Sequence, residues 1–130
     1  MASVFTKIIN REIPGYIVAE DENHIAFLDV NPIASGHTLV VPKREEDYIF
    51  SLEDEHLSAL MIFAKKVAMA LEKAVPCKRI GVAVIGLEVP HTHVHLVPLN
   101  FVEDINFSKP KLSLPAEVME KLCSKIKEQF

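Results

Sequence analysis

The chain has 130 residues, 49% of them apolar and 25% charged, and a formal net charge of −4. That length suits one domain, residues 1–130, with a real hydrophobic core. The acidic balance, with no basic cluster longer than Lys43-Arg44 or Lys78-Arg79, argues against a nucleic-acid binder, and no run approaches the 18 apolar residues that a membrane span needs.

Residues 1–7 show no charged stretch leading into an apolar one, so a cytoplasmic protein is expected. Val4, Phe5, Ile8 and Ile9 have helical spacing, which predicts a short helix over 4–10. Pro14-Gly15 is a turn signal; residues 16–20 and 24–29 then read as a hairpin reversing through Asp21-Glu22-Asn23. Asn31-Pro32 and Ser35-Gly36 mark a loop, and 37–41 is a nearly unbroken apolar run of the central-strand type.

Ser51 is positioned to cap a helix over 52–74, with Asp54 three residues on. Its core stripe is Leu57, Leu60, Met61, Ala64, Val67, Ala68 and Leu71, and it should end before Pro76. Ile62, Phe63 and Met69 lie off that stripe, as deeper core or as a partner surface, of which the partner is favoured. Residues 80–85 form another buried-type strand. Gly81 and Gly86 have the spacing of a phosphate loop, but Leu87-Glu88 stands where Lys-Ser/Thr is required, so this is no Walker motif. Beyond Asn100 the chain is irregular until Val118, Leu122, Ile126 and Phe130, which recur along a final helix. Cys77 and Cys123 read as reduced thiols. Five strands with helices at start, middle and end predict an α+β domain, its antiparallel sheet covered on one side.

The chemistry concentrates in residues 91–97, His-Thr-His-Val-His-Leu-Val. If extended, this run points His91, His93 and His95 to one face. Imidazole, with an ordinary pKa of about 6.5, is largely neutral and nucleophilic at pH 7. His37 would join them if strand 37–41 lay alongside. His24 and His56, among charged residues, read as solvated surface groups. A metal is the rival reading. Outer histidines about 13 Å apart along a strand let one zinc take two of them but hardly three, and no HExxH or CxxC accompanies them.

The run 91–97 resembles the His-x-His-x-His-apolar-apolar signature of the histidine triad (HIT) family of nucleotide hydrolases and transferases. Residues 7–14, 26–32 and 36–43 resemble that family's N-terminal segment, hairpin and following strand. The resemblance implies a dimer that joins two five-stranded sheets into a ten-stranded one. It also implies His93 as the nucleophile attacking the α-phosphorus of a purine phosphoramidate, anhydride or dinucleoside polyphosphate, through a nucleotidyl-histidine. His37 and His91 then match supporting histidines, His95 the one near the phosphate oxygens, and Asp29 the acceptor for the ribose hydroxyls. Phe5, Ile8, Ile13, Phe27 and Val30 match an apolar slot for the base, and serve equally as core. Gly86 and the backbone of Glu88 match the turn beside the phosphate. No cofactor or metal is implied.

Three departures stand out. Many bacterial members carry Cys-x-x-Cys in a structural zinc site where this chain has Ser3-Val4-Phe5-Thr6. The family's Gly-Gln is Gly86-Leu87, followed by Glu88, and strand 80–85 lacks asparagine. The second functional reading is therefore a nucleotide-binding regulatory dimer with little catalysis, and the third a metal hydrolase using two of the histidines.

Overall fold

The computed structural model describes residues 2–130. In chain order it contains α1 (Val4–Ile9), β1 (Ile17–Glu20), β2 (His24–Leu28), β3 (Thr38–Pro42), α2 (Asp54–Ala74), β4 (Arg79–Ala83), β5 (Val94–Leu99) and α3 (Ala116–Lys127). The five strands form one sheet in the order β1-β2-β3-β5-β4, with every neighbouring pair antiparallel. The β1–β2 turn closes on Asp21, whose Oδ1 accepts the backbone N–H groups of Asn23 (2.9 Å) and His24 (2.7 Å). A short acidic side chain favours such turns because it can substitute for a backbone acceptor.

Alternation along the strands divides the interior into two clusters. Ala26, Leu28, Val40, Val94 and Leu96 face α2 and α3, and pack against Leu60, Phe63, Ala64, Val67, Leu71, Met119 and Ile126. Ile25, Phe27, Leu39 and Val41 face the other way and meet Phe5 and Ile8 of α1. The sheet therefore has one face covered by two helices and a second on which α1 covers only part, rather than a single covered side. Leu39 pairs with His95 across β3 and β5, so His95 projects from this second, partly open face.

Four expectations need correction. Ser51 does not cap α2: residues 49–51 form a 3₁₀ turn that buries Ile49, and the helix starts at Asp54 with no side-chain cap. Asp54 and Glu55 in its first turn instead complement the helix dipole. Phe63 is core, while Met61 is 38% exposed. Phe63 lies on the buried stripe with Leu60, Ala64, Val67, Ala70 and Leu71, and the His24 ring stacks on it, 5.2 Å between centroids and 22° between planes. His24 is accordingly no solvated surface group; it is buried, with Nδ1 donating to Asp21 Oδ1 at 3.0 Å. In α3 the buried stripe is Met119, Cys123 and Ile126, and Val118 and Phe130 are exposed. A strict four-residue repeat drifts about 40° per step on a helix of 3.6 residues per turn, so it cannot stay on one face. His56 is exposed, and both cysteines are free thiols.

Candidate active site

β5 begins only at Val94, so His91 and His93 precede the strand and the run 91–97 is not extended throughout. The deviation has a tertiary cause at Thr92. Both the N–H and the hydroxyl of Thr92 donate to Glu46 O, at 2.6 and 2.7 Å, which pulls the chain toward the segment following β3. The His93 and His95 ring centroids are 4.8 Å apart. His91 turns aside: its Nε2 donates to Pro42 O (2.7 Å), and its Nδ1 accepts from the Ser3 hydroxyl (2.8 Å).

The hydrogen bonds determine which ring nitrogen carries each proton. His93 Nδ1 donates to His91 O at 2.7 Å, so the neutral ring keeps an unprotonated Nε2. Ile33 N–H donates to His37 Nδ1 (3.2 Å); His37 must then donate from Nε2 to His95 Nδ1 (2.9 Å). The proton of His95 is left on Nε2. An unprotonated nitrogen and an N–H donor thus come from adjacent rings, each held in one tautomer by a partner distant in sequence or by the backbone.

Burial sets the charge states. Desolvation pulls His37 down to about 4 and His95 down to about 3, and lowers His91 as well, the last opposed by the hydrogen bond to Pro42 O. These rings are neutral at pH 7. Asp29 is raised, again by burial, with the Asn31 N–H on its Oδ1 (2.9 Å) opposing the shift. Its Oδ2 lies 3.8 Å from His37 Nε2. Asp29, His37 and His95 could also gather round a metal ion, since each offers a ligand atom within 4.8 Å of the others.

Phe5, Ile8, Phe27 and Ile13 come together in the α1-side cluster beside the histidines, and the Phe5 ring stands 4.9 Å from His93. Val30 is not brought into it and is 60% exposed. Gly86 has φ of +74°, a left-handed conformation that disfavours any side chain, and forms the turn leading to Glu88. Glu88 is exposed, yet its negative charge acts on Asp29.

Sequence reasoning missed a polar knot beside His91. Ser3 caps α1 by accepting from Thr6 N (3.1 Å), and Glu45 Oε1 accepts from Ser3 N (2.6 Å) and the Thr6 hydroxyl (2.8 Å). The Ser-x-x-Thr pattern at a helix start is a legible capping signal, but nothing local connects it to Glu45 or His91. Phe107 was missed too; its ring meets His95 edge-on at 4.6 Å.

Sheet order and histidine arrangement define a histidine-centred α+β protein. The sequence model of the HIT domain matches residues 10–102, and the chain belongs to the HIT family. An uncharacterized HIT-like protein of Borreliella burgdorferi is 34% identical over 131 residues, covering 95% of this chain and 94% of that protein. Adenosine 5′-monophosphoramidase of Saccharomyces cerevisiae is 36% identical over 98 residues, 75% of this chain and 62% of that one. Among solved structures, a Hit-like protein involved in cell-cycle regulation from Bartonella henselae has a TM-score of 0.84 at 31% identity, covering 98% of this chain and 96% of that one.

Proposed function

We propose that this protein hydrolyses or transfers a nucleotidyl group, with His93 as nucleophile on the α-phosphorus of a purine nucleotide phosphoramidate, anhydride or dinucleoside polyphosphate. The observation that carries the reading is the tautomer of His93: the 2.7 Å bond from Nδ1 to His91 O aims a lone pair from Nε2. The nitrogen–phosphorus bond forms as the leaving group departs and takes a proton from solvent. The carbonyl of His91 then faces the N–H of a positively charged, phosphorylated ring, which it stabilises. Water or a second acceptor releases the nucleotide and restores the neutral imidazole.

His95, neutral with its proton on Nε2, donates to a phosphate oxygen, and His37 holds it in that state. With pKa values of about 3 and 4, these two act as hydrogen-bond donors rather than charged acids. His91 supports the backbone that orients His93. Asp29 suits the vicinal hydroxyls of ribose, and Phe5, Ile8, Ile13 and Phe27 offer the base an apolar wall, with Gly86 and Glu88 shaping the turn opposite. The named activity of the yeast relative agrees with a phosphoramidate substrate.

The partner that suits the uncovered apolar edge is a second copy of the chain. β4 is an edge strand, and Val82, Ile85, Ile62 and Met69 on β4, its continuation and α2 are between 46% and 58% exposed. Joining two such edges would pair the free backbone groups of β4. No helix among the described residues is long and apolar enough to cross a membrane, and cytoplasmic residence fits the free thiols.

The second reading, a nucleotide-binding dimer with little catalysis, is favoured by one feature: the Glu88 charge that acts on Asp29 opposes an incoming anion. One experiment separates the readings. Adenosine 5′-phosphoramidate is incubated with wild type and His93→Ala, each with and without EDTA. AMP release lost in His93→Ala and indifferent to EDTA supports the nucleophilic mechanism; release sensitive to EDTA supports a metal hydrolase. AMP binding without release supports the binding role.

A further inference from the structure

The family match ends at residue 102, but the chain continues past it as a strap that meets the histidines before α3 begins. Three contacts seat the strap. Leu112 N–H donates to Pro32 O (2.8 Å), in the loop that starts at Asp29. The Phe107 ring packs edge-on against His95 and His37, at 4.6 and 6.0 Å between centroids. Lys111 Nζ donates to Phe107 O (3.2 Å) and stands 5.6 Å from the Phe107 ring.

Lys111 is thereby tethered at its tip without a direct ion pair. Among the described residues no carboxylate lies within 4.0 Å of its ammonium. Its positive charge acts on Asp29, His37 and His95 alike. The carboxylates of Asp29 and Glu88 are unfavourable to an approaching polyanion, and Lys111 is the lysine whose charge acts against them at Asp29. A substrate with a single phosphate can be met by neutral imidazole N–H groups. A second phosphate is held more strongly by a cation, and the strap carries one in Lys111.

We propose that Lys111 is a specificity-determining residue that binds a second phosphate of the substrate, beyond the one that reacts. This rests on the nucleotide reading of the histidine site. The second phosphate has two possible sources, the 5′ phosphate chain or a phosphate borne by the ribose, and both offer the same acceptor oxygens to the ammonium.

Titration calorimetry on wild type, Lys111→Met and Lys111→Arg tests it, with adenosine, AMP, adenosine 5′-(α,β-methylene)diphosphate and adenosine 3′,5′-bisphosphate as probes. The quantity read is the ratio of the AMP Kd to that of each bisphosphate within each variant. For an exposed ion pair the expected wild-type ratio at low salt is about three- to five-fold. It should fall toward one in Lys111→Met, persist in Lys111→Arg and shrink as salt is raised. A response to the methylene diphosphate assigns the 5′ chain, and a response to the 3′,5′-bisphosphate assigns the ribose side. Equal ratios in wild type and Lys111→Met, or no preference for either bisphosphate while AMP binds, overturn the proposal alone. AMP binding no tighter than adenosine overturns the nucleotide reading and this proposal with it.

Discussion

His37 and His95, 58 residues apart in the chain, are joined by a 2.9 Å hydrogen bond from Nε2 to Nδ1. The bond exists because β3 lies antiparallel beside β5, with Leu39 opposite His95. It is buried, and the donor's other nitrogen is already engaged by Ile33 N–H, so the proton has one place to go.

Replacing His37 by Phe removes the donor and leaves His95 Nδ1 unpaired in an apolar setting. One lost buried hydrogen bond of about 1.5–3 kcal/mol corresponds to roughly a ten- to hundred-fold fall in kcat/KM. His37→Gln, whose amide can still donate, should lose less. Steady-state release of AMP from adenosine 5′-phosphoramidate checks both. His93→Ala should lose about a thousand-fold or more.

The lowered histidines make stability depend on pH. His37 and His95 titrate near 4 and 3 when folded, against 6.5 in the unfolded chain. Between these values the unfolded chain binds more protons, so stability is greatest above about pH 6.5 and falls as pH drops toward the folded values. Asp29, raised by burial, acts in the opposite sense across the carboxylate range. The clearest window is therefore about pH 5 to 6.5, above most of that range. Urea midpoints there should decrease with falling pH, and the dependence should be shallower in His37→Phe.

Ser3→Ala removes the α1 cap and the hydroxyl that donates to His91 Nδ1. The expected loss is about 1–2 kcal/mol, seen as a Tm lower by a few degrees in a calorimetric scan. Glu45→Ala, which strands Ser3 N and the Thr6 hydroxyl near the surface, should cost less.

A dimer through the β4 edge would be sensitive to charge there. Val82, 52% exposed on that strand, is the position to change. Val82→Glu places like charges against each other in a two-fold interface and should give a monomer by sedimentation equilibrium, while far-ultraviolet circular dichroism remains that of wild type. A wild-type monomer at micromolar concentration would remove the dimer from the functional reading.

Much of the architecture was readable because it is periodic. The apolar runs over 24–29 and 37–41 mark strands, whose geometry alternates side chains between faces, and the interruptions at Pro14-Gly15, Asn31-Pro32 and Pro76 delimit elements that the structure contains. Helix interiors were less legible than their existence. Phe63 and Met61 are both apolar, and the buried stripe of Leu60, Phe63, Ala64, Val67, Ala70 and Leu71 takes in Phe63 and leaves Met61 half outside, a choice of phase made where α2 meets the sheet.

The sequence by itself determined the family, the strand and helix content, and the shared parity of His93 and His95, since parity along a chain segment is a local property of the backbone; the meeting of Asp29, His37 and His95 needed the pairing of β3 with β5. Tertiary structure alone decided that His91 turns toward Ser3 and Pro42, that His93 keeps a free Nε2, and that Phe107 and Lys111 return to the site. The turn of His91 and the return of Phe107 depend on contacts between segments far apart in the chain, whereas the His93 bond spans two residues and the Lys111 bond four, in stretches whose bends are set by such contacts. Their partners are chosen by packing, which no local spacing encodes.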